Sequence, residues 1–274
     1  MKTSIISMLA LSLALTSCVK INTERGENGK DGWDVFSGNE GKEPITDKTV
    51  EGEIDEIKVS TSIDAEIFKS NTEKVVVSAP ADIMQYIKVE NNAGKVRIYI
   101  KSDFGKSIST KNVKAKFYVK DFTKVVADSS GDIKIVDAFT QDKVEINVYS
   151  SGNIEATNLE ANNFRIDVNS SGDFSGKIWA VNLEANASSS GDIIIHGKAK
   201  NATLQSSSSG DVKAKELMVE NANLEASSSG DIAVSVSRSL NAKASSSGEI
   251  TVYKNGNLEH SNIQKSSAGN VYLK

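Results

Sequence analysis

The chain has 274 residues, a net charge of −4, an isoelectric point near 5.4 and only 6% aromatic residues. Four arginines and a negative balance leave little material for a basic phosphate-binding face, so nucleic-acid binding is not expected. With 38% apolar residues and few rings, a thin core of Ile, Val, Leu and Ala is easier to build than a thick globular one.

The first predicted element is a targeting segment over residues 1–17. Lys2 supplies a positive n-region, and Ile5 to Leu15 is an apolar run of signal-peptide length. That run is too short to span a bilayer, which takes roughly 20 apolar residues. It ends at Leu15-Thr16-Ser17-Cys18, and Cys18 is the sole cysteine of the chain. The string resembles the lipobox of bacterial lipoproteins, in which the cysteine is lipidated and becomes the first residue. A lipidated Cys18 leaves no thiol for a disulfide or for redox chemistry. Two or three acyl chains, at about 0.8 kcal/mol per buried CH₂, would hold the protein on a membrane. The expected location is therefore the outer membrane, on its outer or its periplasmic face.

Residues 18–49 are rich in Gly, Asn, Glu and Lys without helical or strand periodicity, and read as a flexible tether. Trp33, Val35 and Phe36 are its only bulky apolar residues at mid-length. A domain is expected over 50–274, with irregular first rungs over 50–127. There Ile57-Lys58-Val59, Val75-Val76-Val77, Ile87-Lys88-Val89, Val96 to Ile100 and Phe117-Tyr118-Val119 read as short strands. Ala81 to Tyr86, after Pro80, suits one helical turn.

Residues 128–274 are a repeat. The unit Ser-Ser-Gly-Asp-Ile, or a near variant, recurs with its glycine at 131, 152, 172, 191, 210, 230 and 248, and in degenerate form at Gly269. A fixed period of about 20 residues marks a solenoid or an array. Within the unit that follows Gly191, Asp192 to Ile195 reads as one strand, Gly197 to Asn201 as a turn, and Ala202 to Ser206 as a second strand. Ile193 and Ile195 share a face, as do Ala202 and Leu204. Stacking such units gives aliphatic columns inside and Lys, Glu, Asn and Thr outside. The expected fold is all-β, a single-chain β-solenoid (β-helix) with rungs of about 20 residues. An antiparallel β-sandwich is the alternative, since a meander would also place the motif at every second strand end. The coil is preferred because small residues suit a tight corner stacked rung on rung. Gly131, Gly152, Gly172, Gly191, Gly210, Gly230 and Gly248 are expected to be structural corner residues, where φ is positive or backbones approach closely. Positive φ would make a β-branched replacement such as Gly210→Val costly.

These strings also resemble a known family. Val75-Val76-Val77-Ser78-Ala79-Pro80-Ala81-Asp82-Ile83, the spaced Ile87, Val89, Asn92, Gly94, Val96 and Ile98, Phe117-Tyr118-Val119, the Ser-Ser-Gly-Asp repeats and Gly269-Asn270-Val271-Tyr272 are similar to the "putative auto-transporter adhesin, head GIN domain" family of Bacteroidetes lipoproteins. The resemblance covers about residues 54–274. It implies a β-solenoid and an adhesin-type role, for which a host or cell-surface glycan or protein is the expected kind of ligand, with a non-catalytic structural or scaffolding protein of the outer membrane or periplasm as the alternative, and it brings no catalytic residues.

Three constellations bear on chemistry. Asp132, Asp173, Asp192, Asp211 and Asp231 share one repeat position, with Glu249, Asn153 and Asn270 in the same place. Stacked carboxylates repel, and Ca²⁺ would relieve them. The preferred reading is that each Asp bonds nearby backbone or hydroxyls, because Asn serves at the same position. The repeated serines lack a dedicated base, since only His196 and His260 are present. Arg165, Arg238 and Trp179 fall short of the acid, base and aromatic platforms that polysaccharide cleavage uses. No enzyme activity, catalytic residue or required cofactor is expected.

Overall fold

The computed structural model describes residues 41–101 and 107–274. The expected signal peptide 1–17, Cys18, and the part of the tether that carries Trp33, Val35 and Phe36 lie outside the described residues.

Every regular element but one is a strand. They are β1 (Ile45–Glu51), β2 (Glu56–Ser60), β3 (Asp64–Lys69), β4 (Lys74–Pro80), β5 (Ile87–Asn92), β6 (Lys95–Ile100), β7 (Lys114–Val119) and β8 (Lys124–Asp128), followed by the repeat strands. Those are β9 (Ile133–Tyr149), β10 (Ile154–Val168), β11 (Phe174–Ala187), β12 (Asp192–Ser206), β13 (Asp211–Ala226), β14 (Asp231–Ala244), β15 (Glu249–Lys254), β16 (His260–Lys265) and β17 (Asn270–Leu273). The helical turn α1 spans Ala81–Met84, directly after Pro80.

From β9 onward each strand pairs in parallel with the strand one period away. Parallel pairing of chain neighbours defines a coil and rules out the antiparallel sandwich, whose neighbours would run in opposite directions. The expected two strands and turn of a rung form one continuous strand bent in the middle. Register shifts fall at that bend, as between Ala156 and Leu159, Ile194 and Gly197, and Ala214 and Met218. The bend therefore absorbs the variation in period, and the arms on either side keep strict register.

That register builds the core. Ile133, Ile154, Phe174, Ile193, Val212, Ile232, Ile250 and Val271 stack in one buried column. On the second arm Ile146, Ile166, Ala185, Leu204, Leu224 and Ala242 form another. Rungs lie about 4.8 Å apart, so every aliphatic residue touches those above and below it. One hydroxyl interrupts the stack: buried Ser206 donates to the Gly210 carbonyl at 2.5 Å, which satisfies it.

The N-terminal rungs depart from sequence order. β2 lies between β6 and β8, and β3 lies between β7 and β9, all parallel. The rung laid down first is thus clasped between two that follow it. Below, β4 runs antiparallel to β7, β1 antiparallel to β4, and β5 antiparallel to β6. These antiparallel strands close one end of the stack, as terminal units of repeat arrays must. β1 begins at Ile45, inside the stretch expected as tether, because Thr46, Thr49 and Val50 pair with Ala79, Val76 and Val75. The tether signal there was composition, and composition does not register a strand recruited by a partner.

Candidate functional site

The later Ser-Ser-Gly corners are closed by a four-residue turn. In Ser207–Gly210 the Gly210 N–H donates to the Ser207 carbonyl at 3.2 Å, closing a four-residue turn. Ser227–Gly230 and Ser245–Gly248 close in the same way, at 3.1 and 2.9 Å. The positive φ angles sit on the serines: +63° at Ser208, +53° and +70° at Ser228 and Ser229, +50° and +68° at Ser246 and Ser247. Ser228/Ser229 and Ser246/Ser247 each give two positive central residues, the signature of a type I′ turn, whereas the Ser207–Gly210 turn has one, at Ser208. The motif glycines do not have positive φ, which corrects one of the two expected reasons for them. They are glycine because of close approach. A Cβ on Gly172 would lie 2.2 Å from the Gly152 carbonyl oxygen, and one on Gly152 would lie 2.6 Å from that of Gly131.

The acidic column follows the corner. Asp132 accepts from the Asn153 amide at 2.9 Å, Asn153 from the backbone N–H of Asp173 at 3.1 Å, and Asp173 from that of Asp192 at 3.0 Å. Asp211 accepts from the N–H of Asp231 at 3.3 Å. Lys213 pairs with both Asp192 and Asp211. Asn153, Asp173 and Asp211 thus each accept from the backbone N–H of the next rung, a role Asn fills as well as Asp. Among the described residues no three His, Cys, Asp or Glu side chains converge as a metal ion would require. The column also begins earlier than the repeat: Asp64 accepts from the N–H of Asp132 at 3.3 Å. Its signal was Ser60-Thr61-Ser62-Ile63-Asp64, a corner with Ile in place of Gly.

Electrostatics along the column are unequal. Burial, reinforced by Asp211 and Glu249 on the flanking rungs, pushes the Asp231 carboxyl above the ordinary aspartate range. In the pH window between the ordinary and the raised value, the fold binds a proton there more readily than the unfolded chain does. That contribution is full at low pH and disappears as pH rises through the shifted value. Asp231→Asn is expected to raise the melting temperature at pH 7, by less than about 1 kcal/mol in stability, and to lose its advantage near pH 3. Thermal melts across pH check this, and EDTA should leave the wild-type melt unchanged.

The second arm carries a ladder that the sequence reading missed. Lys95, Glu56, Lys124, Glu145, Arg165 and Glu184 occupy successive rungs of one outward column, so charge alternates along the stack. Lys95 meets Glu56 at 2.6 Å, Lys124 meets Glu145 at 2.5 Å, and Arg165 meets Glu184 at 2.7 Å. The Lys124 ammonium holds the Glu145 carboxyl below the usual glutamate range. The same column continues as amides: Asn241 donates to Asn223 at 2.8 Å, and Asn262 to Asn241 at 3.0 Å. A parallel amide ladder joins Asn163, Asn182, Asn201 and Asn221 at 3.0–3.1 Å. Arg165 also binds Asp167 at 2.6 Å within the charged ladder, while Arg238 makes a separate pair with Glu259 at 3.0 Å. His196 and His260 are exposed on different strands, and among the described residues neither has a serine hydrogen-bonded to it.

At the bend between the arms the outer surface changes character. Trp179 is 46% exposed and Met218 43% exposed, in a column that runs Glu160, Trp179, Lys198, Met218. They line an open groove of about 470 Å³ together with Lys200, Glu220 and Asn255. A second open groove, about 530 Å³, runs along Asp64, Asp132, Asp173 and Ile194 beside the acidic column.

Comparison with known proteins places this architecture. A family profile described as "Putative auto-transporter adhesin, head GIN domain" matches residues 53–256. No curated protein matches the chain. Among solved structures, a putative adhesin from Parabacteroides distasonis is 20% identical, covers 86% of this chain and 99% of its own, and superposes with a TM-score of 0.78. A putative adhesin from Parabacteroides merdae is 18% identical, with 86% and 98% coverage and a TM-score of 0.73. A putative lipid binding protein from Parabacteroides distasonis is 24% identical, with 86% and 98% coverage and a TM-score of 0.67. At these identities the likeness is one of fold.

Proposed function

The chain belongs to the auto-transporter adhesin, head GIN domain family, and from that premise we propose that it is a lipid-anchored envelope protein that displays a non-catalytic, adhesive β-solenoid. One observation carries the reading: the rungs between β9 and β15 spend their backbone groups on one another, leaving long ordered columns of outward side chains. Such a surface recognises by side chains in a fixed lattice and has little means of moving a substrate. The ion pairs and amide ladders hold those side chains in place. The names of the family and of its structural neighbours are those of adhesins and a lipid binder, not of enzymes. The partner in this reading is a glycan or a protein at a cell surface. The anchor is Cys18, with a signal peptide before it and residues 19–44 as spacer.

Protease shaving of intact cells is the primary test. A displayed domain is cleaved before the outer membrane is breached, and its loss lowers attachment of cells to their surface ligand. A domain that survives until the membrane is broken overturns the adhesive reading and favours a periplasmic scaffold. Cys18→Ser should leave the melting curve of the domain unchanged and move most of the protein from the membrane to the soluble fraction. Continued full fractionation with membranes would refute the lipid as the sole attachment.

A further inference from the structure

The Trp179 groove stands apart from the rest of the outer surface. Several lysines elsewhere are paired across rungs, as with Lys58 and Asp128 at 2.6 Å or Lys243 and Glu225 at 2.8 Å, whereas this groove sets an exposed indole and thioether beside its lysines. Around Trp179, neither Lys198 nor Lys200 has an ion-pair partner among the described residues. Glu220 is the one carboxylate lining the groove, and it also faces Arg238 on the neighbouring rung. The groove thus combines an exposed indole, a thioether about two rungs away, Asn255 and two lysines without a close ion pair, Lys200 standing in register with Glu220 on the next rung.

The chemistry of the occupant follows from what this site lacks. β11, β12, β13 and β14 are paired on both edges here, so no backbone edge is open for an added peptide strand. The groove is shallow and exposed, which does not suit burial of an amphipathic helix. What it offers is a flat aromatic face for a ring with an apolar side, and amines placed for charge-assisted bonds to a carboxylate.

We infer that the groove at Trp179, Lys198, Lys200 and Met218 is a binding subsite for an acidic saccharide, with the sugar ring stacked on Trp179 and its carboxylate held by the two lysines. This rests on the adhesive reading and names a ligand class for it.

The test uses the full chain carrying Trp33→Phe, so that Trp179 is the only tryptophan emitter. Oligogalacturonate is the probe, and neutral galacto-oligosaccharide, polyglutamate and anionic phospholipid vesicles are the comparisons. Oligogalacturonate should change the Trp179 emission saturably and bind more tightly than the neutral sugar. Removing the anchoring aromatic in Trp179→Ala should weaken binding roughly tenfold or more, the effect of losing a central contact. Lys198→Gln with Lys200→Gln should abolish the preference for the acidic sugar and its salt dependence, with an unchanged melt. Absence of oligogalacturonate binding, or equal binding by the variants, overturns the subsite. Stronger binding of polyglutamate or vesicles through the same residues overturns the saccharide assignment. If shaved or Trp179→Ala cells still distinguish themselves in attachment, the two readings separate: attachment that needs the domain but not Trp179 keeps the adhesive function and discards this groove.

Discussion

Gly172→Ala is expected to destabilise the domain by about 3 kcal/mol, at the upper end of ordinary overpacking. The new methyl would lie 2.2 Å from the Gly152 carbonyl oxygen and 2.6 Å from a Val148 methyl. Backbone on the neighbouring rung cannot rotate away, and Gly152 is itself held by the same contact with Gly131. Relief therefore requires two corners to separate, which breaks the ladder hydrogen bond from the Ser171 N–H to the Ser150 carbonyl, now 2.9 Å. In a domain of this size that loss lowers the melting temperature by roughly 10 °C. The neighbouring serines should respond oppositely. Ser229 has φ of +70°, a conformation that costs an L-residue about 1–2 kcal/mol and costs glycine none. Ser229→Gly adds back some chain entropy, about 0.5–1 kcal/mol, so its net effect is neutral or mildly stabilising. Urea melts of the two variants decide between close approach and left-handed backbone as the reason for the motif. A silent Gly172→Ala, or a Ser229→Gly that is the more damaging of the two, would reverse the assignment.

The division of labour between serine and glycine shows where sequence reading reached its limit. The period of the glycines and the alternation of Ile, Val, Leu and Ala between them point to stacked β rungs, and the parallel pairing of neighbouring rungs decides for the coil over the sandwich. Which residue of Ser-Ser-Gly turns the chain left-handed is a matter of the turn's hydrogen bond, and the period carries no trace of it. The ladders were legible in principle. Lys124, Glu145, Arg165 and Glu184 alternate in sign at the repeat spacing, and Asn163, Asn182, Asn201 and Asn221 recur at it. They lie away from the Ser-Ser-Gly-Asp motif, at positions where residue type varies from rung to rung, so the pattern shows only once the rungs are aligned. Trp179 was noted only as a missing platform for catalysis, since its partners Lys198 and Met218 become neighbours only when rungs of unequal length are brought into register. Least legible was the order of the first rungs. β2 and β3 carry no mark in their composition of being placed between later strands, for stacking order is set by which faces remain uncovered when the chain returns.

That nested order gives the second large expected effect. Ile67 on β3 is fully buried, paired on one side with Phe117 of β7 and on the other with Ile135 of β9. Ile67→Ala should cost about 2–5 kcal/mol, because the surrounding strands are held by their own ladders and close the cavity only in part. The distribution of the damage matters more than its size. In a coil stacked in chain order, a defect at Ile67 would loosen the strands that follow it directly, β4 and β5. In the nested arrangement β3 is, among the described residues, the only strand that bridges β7 and the first arm of β9, so hydrogen exchange should quicken in both, although they lie on opposite sides of it in space and far from it in sequence. β12, β13 and β14 should keep their protection, because each rung in an array of this kind is stabilised chiefly by its nearest neighbours. Loss of protection in β4 and β5 with β9 unaffected would show that the first rungs are stacked in another order, and uniform loss through β14 would show that the solenoid unfolds as one cooperative unit.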